Sequence, residues 1–111
     1  MNKIILIFAL LMATTTSLAD GKAVAGRKIV EKVCQSCHGL DGLGINDTYP
    51  KLAGQFSDYM VKALSDYKSG ERQNAIMSGF ASSLSEQDMQ DVAAYFSGLT
   101  ANSLYDLSIK K

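Results

Sequence analysis

The chain has 111 residues with 11 basic and 11 acidic side chains, and it is 47% hydrophobic and 20% charged. That length suits one domain and excludes a large multi-domain enzyme. Zero formal net charge gives no electrostatic footprint for nucleic acid, and the apolar content is that of a globular rather than a disordered chain.

Residues 1–19 read as a secretory signal peptide. Lys3 is followed by ten uninterrupted apolar residues at 4–13 and then by TTTSLA, with small residues Ser17 and Ala19 placed as a signal peptidase requires. Ten residues of helix rise about 15 Å, roughly half a hydrocarbon core, so no stable membrane insertion is expected. Asp20 rather than Cys follows the cut, which does not suggest a lipid-modified N-terminus. The expected domain is residues 20–111, exported to the periplasm. A domain of 92 residues buries a small core and often needs a staple, metal or cofactor. In an oxidising compartment a disulfide between its two cysteines would be routine, so their spacing has to decide.

No segment alternates like a strand, and helical periodicity dominates. The first helix is expected over Lys22–Val33, with Val30 and Val33 continuing the face of Ala23 and Gly26. A loop is expected over residues 34–54, with glycines at 39, 42, 44 and 54 and the single proline, Pro50. A loop of that length in a small domain is usually functional. The second helix is expected over Gln55–Ser69, with Phe56, Tyr59, Met60, Ala63, Leu64 and Tyr67 on one stripe and Gly70 as the stop. A short helical piece is expected around Asn74–Met77, within an otherwise irregular stretch 70–84. The third main helix starts after Ser85, the N-cap of a capping-box-like SEQD. Leu84 and Met89 occupy the staple positions, and Val92, Ala93 and Phe96 continue the face.

Cys34-Gln35-Ser36-Cys37-His38 is C-x-x-C-H, the attachment signature of c-type haem. Two thiols three residues apart at a helix end can reach the two vinyl groups of one porphyrin, and the next residue then lies under the iron. His38 is the only histidine. Rival readings are a thioredoxin-like redox pair, which needs βαβ elements, a zinc site, which needs a fourth ligand, and a plain disulfide across a very short loop. A haem iron held by His38 leaves a sixth position. Met60 is accounted for by the second helix and Met89 by the staple. Met77, in the irregular stretch, is the thioether without a helical face. Core filling is the ordinary role of a lone methionine. Thioether ligation opposite histidine raises the potential and favours electron transfer over oxygen chemistry.

These residues together resemble a class I cytochrome c, most like the small periplasmic carriers and single halves of the di-haem carriers, over about residues 22–99. Gly26, eight residues before Cys34, and Val30 match the family's first helix, and Val92 and Tyr95 match the last helix that crosses it. The resemblance implies an all-α fold, with three main helices plus loops wrapped around one covalently bound haem. It implies that Cys34 and Cys37 bind haem c, that His38 and Met77 ligate its iron, that the Pro50 carbonyl accepts the His38 Nδ1–H, and that Leu52 packs on the ring. Phe56, Ile76 and Phe80 are further candidates for an apolar haem wall. The family often has a proline beside the axial methionine, and this chain has none there. The tail after Leu99 matches nothing in the family and is expected to be solvated.

The implied function is a non-enzymatic, monomeric, single-electron carrier between larger redox proteins, with no nucleic-acid partner and no catalytic residue. Lys22, Lys28, Lys32 and Lys51 could flank an exposed haem edge, although solvated lysines are common. The alternative is a haem ligand-binding or sensor module, or a weak peroxidase, with an open sixth position.

Overall fold

Helix packing at the start and end of the fold is set by a missing side chain and a buried carboxylate. The computed structural model describes residues 21–99; the expected signal segment 1–19 and the tail after Leu99 lie outside the described residues. Helix α1 (Ala23–Ile29) runs through a π-helical turn (Val30–Cys34) into α2 (Gln35–His38). Helices α3 (Ser57–Ser69), α4 (Ala75–Ser82) and α5 (Glu86–Ser97) follow, and among the described residues there is no strand.

Helices α1 and α5 cross at Gly26. A Cβ there would lie 1.9 Å from the Asp91 carbonyl oxygen, so only glycine permits the approach. Asp91, 6% exposed, accepts a 2.7 Å hydrogen bond from the Lys22 backbone N–H and a 2.9 Å bond from Gln87 Nε2. A carboxylate from α5 thus satisfies one of the unpaired N–H groups at the start of α1, where Lys22 makes no side-chain cap of its own. Below the crossing, Val30, Met60, Val92, Ala93 and Phe96 form the core, with Leu52, Leu64 and Tyr95 packed around it. Each large apolar side chain buried there contributes about 1.5–3 kcal/mol.

Helix α3 ends as expected, at Gly70 with φ +87°, whose N–H bonds the Asp66 carbonyl. Helix α5 starts on a complete capping box. Ser85 Oγ accepts from the Asp88 N–H at 3.0 Å, and Asp88 Oδ2 accepts from the Ser85 N–H at 2.9 Å. Leu84 and Met89, the expected staple, are both buried.

Two expectations are corrected. The stretch after Asn74 is not a short piece in irregular chain but the eight-residue helix α4, capped by Asn74 Oδ1, which accepts from the Met77 N–H at 3.0 Å. Its sequence AIMSGFAS has no charge and spans only two turns, too short for periodicity alone to set its bounds. The long loop begins at Gly39, not at Cys34, because the π turn carries the helix on through His38.

The loop is held by its own backbone. Gly44 N–H bonds the His38 carbonyl at 2.7 Å, and Ile45 N–H bonds the Cys37 carbonyl at 3.0 Å. Leu52 and Ala53 N–H groups both bond the Gly42 carbonyl, and Gly54 N–H bonds Phe96 O on α5. Gly42 has φ +69°, and a Cβ would meet Ala53 N at 2.8 Å, so the turn and the close approach both require glycine. Tyr95 completes the tie, its hydroxyl donating to Leu40 O at 2.6 Å.

Candidate functional site

The π turn changes which way the first helix faces. Its wider spiral, closed by the Gln35 N–H on Val30 O, leaves Gly26 and Val30 against α5. Val33, Cys34, Cys37 and His38 line a cavity of about 370 Å³ instead. The six residues expected to bind the haem or its iron, Cys34, Cys37, His38, Pro50, Leu52 and Met77, line that one cavity.

His38 is 8% exposed, and its Nδ1 lies 2.9 Å from the Pro50 carbonyl oxygen. A carbonyl only accepts, so a neutral His38 ring donates from Nδ1 and keeps its lone pair on Nε2. Tyr49 meets the imidazole edge-on, with ring centroids 6.3 Å apart. Both cysteine thiols are free. Burial pushes the Cys34 thiol up to about 11, a measure of how apolar its wall is.

The methionines separate by position. Met89 does not line the cavity and lies with its Sδ 3.5 Å from Ser65 Oγ. Met60 lines it but is 5% exposed and packed in the core with Val30 and Phe96. Met77 lines it from α4, half-buried. Its helix is longer than the short piece expected around Asn74–Met77, and Ile76 and Phe80 of the same helix line the cavity too. Phe56 does not line it: at the N-cap of α3 it is 65% exposed, which corrects its place as a wall residue. The rest of the expected α3 stripe, Tyr59, Met60, Ala63, Leu64 and Tyr67, lines the cavity. Sequence reasoning missed Thr48, Arg72 and Asn74, polar residues at the cavity in stretches without periodicity.

The donor set and walls fit a covalently attached haem. Two thiols one helical turn apart, an imidazole with one nitrogen occupied, and apolar side chains from α3, α4 and α5 surround a single space. The rivals fit less well. Among the described residues there is no strand for a thioredoxin-like pair, and no group of three or more His, Cys, Asp and Glu side chains that could hold a metal ion.

Known proteins point the same way. The cytochrome c family model matches residues 23–100. The chain is 41% identical over 97 residues to cytochrome c4 of Pseudomonas aeruginosa, covering 86% of this chain and 48% of that protein. It is 39% identical over 80 residues to cytochrome c-554(548) of Halomonas halodenitrificans, covering 69% of this chain and 95% of that one. The solved cytochrome c4 of Acidithiobacillus ferrooxidans superposes with a TM-score of 0.65 at 33% identity, over 74% of this chain and 52% of that chain. The chain therefore spans about half the length of the cytochrome c4 relatives and nearly all of the shorter one.

Proposed function

The chain belongs to the cytochrome c family, a class I c-type cytochrome similar to one half of cytochrome c4, and on that premise we propose that it is a monomeric periplasmic electron carrier with His38 and Met77 as the axial ligands. The family's haem c, bound covalently with its iron, supplies a one-electron couple. The protein supplies the rest. Cys34 and Cys37 anchor the ring from one face of α2 and the turn before it. Pro50 O fixes the His38 tautomer, leaves Nε2 for the metal and raises the basicity of the imidazole. Met77 offers a soft thioether from the capped first turn of α4. Leu52, Ile76 and Phe80 exclude water and lower the local dielectric, which disfavours the more highly charged oxidised state. Two fixed protein ligands leave little to rearrange when an electron arrives, which suits a carrier better than a catalyst. Among the described residues no helix is long and apolar enough to cross a membrane.

The observation carrying this reading is the convergence of Cys34, Cys37, His38 and Met77 on one cavity, with His38 Nδ1 on Pro50 O. The test is spectroscopic. The oxidised holoprotein is expected to show the weak red charge-transfer band of iron–thioether ligation, and the reduced form to resist CO. Met77→Ala should abolish the band, while Met60→Ala should keep it. A wild-type holoprotein that is five-coordinate and binds CO would overturn the carrier reading in favour of a ligand-binding module.

A further inference from the structure

The two residues between the cysteines are free in the C-x-x-C-H spacing, yet one of them is engaged twice. In an unbroken α-helix the Gln35 N–H would bond the Glu31 carbonyl, four residues back. The π turn takes that N–H one residue further, to Val30 O. The Glu31 carbonyl receives the Gln35 side chain instead, with Nε2 donating to it at 2.6 Å. One residue thus supplies the backbone bond that widens the turn and a side-chain bond to the carbonyl which that backbone bond passes over. Glu31 is held from the other side too, its carboxylate accepting from Arg27 Nε at 2.8 Å. Arg27, Glu31 and Gln35 are all exposed and spaced four apart, so they form a strap along the solvent side of the turn. Gly26 and Val30 are buried, Gly26 on the backbone of Asp91 and Val30 in the core with Val92 and Phe96.

We propose that Gln35 is a positioning residue for the haem: its side-chain amide locks the π turn, and with it the angle between the α1–α5 crossing and the haem-binding face. The inference rests on covalent attachment of the haem, not on Met77 as a ligand. The turn takes up one extra residue, which carries Cys37 and His38 back by about 100° relative to an unbroken α-helix. The crossing fixes α1, because Gly26 lets it lie directly on the backbone of Asp91. The loop fixes His38, whose ring bonds Pro50 O and whose carbonyl accepts from the Gly44 N–H. Residues 30–34 stand between these two fixed ends and take up the difference in direction. A π turn is the rarer geometry, so a donor that reaches back to the Glu31 carbonyl favours it over the α alternative. Ser36, the other spacer residue, has the Cys37 sulfur as its side-chain neighbour, at 3.9 Å, and is the natural control.

The test compares wild-type, Gln35→Met and Ser36→Ala holoproteins by NMR. Gln35→Met keeps the length of the side chain and removes its donor. It is expected to lower the protection of the backbone amide at position 35 against hydrogen exchange by about fivefold, the worth of one ordinary hydrogen bond. It is also expected to move the hyperfine-shifted haem methyl resonances of the oxidised protein, which report how the ring sits on its attachments. Ser36→Ala is expected to leave both at wild-type values. Gln35 is exposed, so its loss removes no core packing, and Gln35→Ala provides the same comparison if Gln35→Met matures poorly. Unchanged protection in the Gln35 variants overturns the lock. Faster exchange with unmoved methyl resonances overturns the positioning role and leaves Gln35 a stabiliser of the turn alone. An equal response in Ser36→Ala also overturns it, since any change between the cysteines would then have the same effect. Neither readout depends on the sixth ligand, so failure of the Met77 reading and failure of this one are separate results.

Discussion

Two glycines show how strongly one atom can matter at a single position. A methyl group at Gly26 would collide with the backbone of Asp91, which cannot move without parting α1 from α5. Gly26→Ala is expected to destabilise the holoprotein by about 3 kcal/mol or more, as overpacking against backbone does. Gly79, inside α4, meets nothing within 4 Å of a built Cβ. Gly79→Ala is expected to stabilise by about 0.5–1 kcal/mol through reduced backbone entropy of the unfolded chain. Guanidinium denaturation of both holoproteins checks the opposite signs. Equal effects would mean that the close approach at Gly26 is not what limits the crossing. The same reasoning explains why Asp91 is buried without being a site: its carboxylate is engaged by Lys22 N–H and Gln87.

Two caps divide the work between elements. Ser85 closes the box that begins α5, and α5 packs against α1 and α3, so losing that cap is felt by the whole fold. Asn74 begins α4, whose first turn carries Met77. Each cap substituted by alanine should cost about 1 kcal/mol, but in different places. Ser85→Ala is expected to lower the melting temperature while the charge-transfer band survives up to unfolding. Asn74→Ala is expected to weaken that band well below the melting temperature, because one fraying turn releases a ligand before the core opens. Parallel thermal scans of the band and of far-UV circular dichroism discriminate the two. Coincident losses in Asn74→Ala would show that α4 does not open on its own. The corrected element is instructive here. The uncharged run AIMSGFAS spans only two turns, and its helix is defined by Asn74 at one end and by the cavity on its side.

For the whole molecule, the apolar side chains serve a packed core and a cavity that adjoins it. Val30, Met60, Val92, Ala93 and Phe96 pack on one another. Leu52, Tyr59, Tyr67, Ile76 and Phe80 face the cavity, with Ile76 63% and Phe80 41% exposed, and Met60, Val92 and Phe96 of the core form its floor. The cavity-facing part of what the sequence would assign to a core therefore needs the haem as its partner. Replacing both Cys34 and Cys37 by alanine, which prevents covalent attachment, is expected to give a chain with reduced helicity and broad, non-cooperative melting by circular dichroism. Native-like, sharp melting without haem would show that the α1–α5 crossing and its core suffice.

What could be read from the sequence alone was whatever depends on neighbours along the chain. The C-x-x-C-H spacing, the SEQD capping box, the Gly70 stop and the α3 stripe are contacts within one or two helical turns, so their signals survive in the order of residues. The tertiary structure alone decided that the helix continues past Cys34 through a π turn, that Phe56 lies outside the cavity, and that α4 lies along the cavity with Met77 in its lining. It also decided that Arg72 meets Tyr59, 13 residues away. These depend on where α1 is held by α5 and where α4 is held around the cavity. Such contacts join residues far apart in the chain, and no local propensity or spacing encodes them.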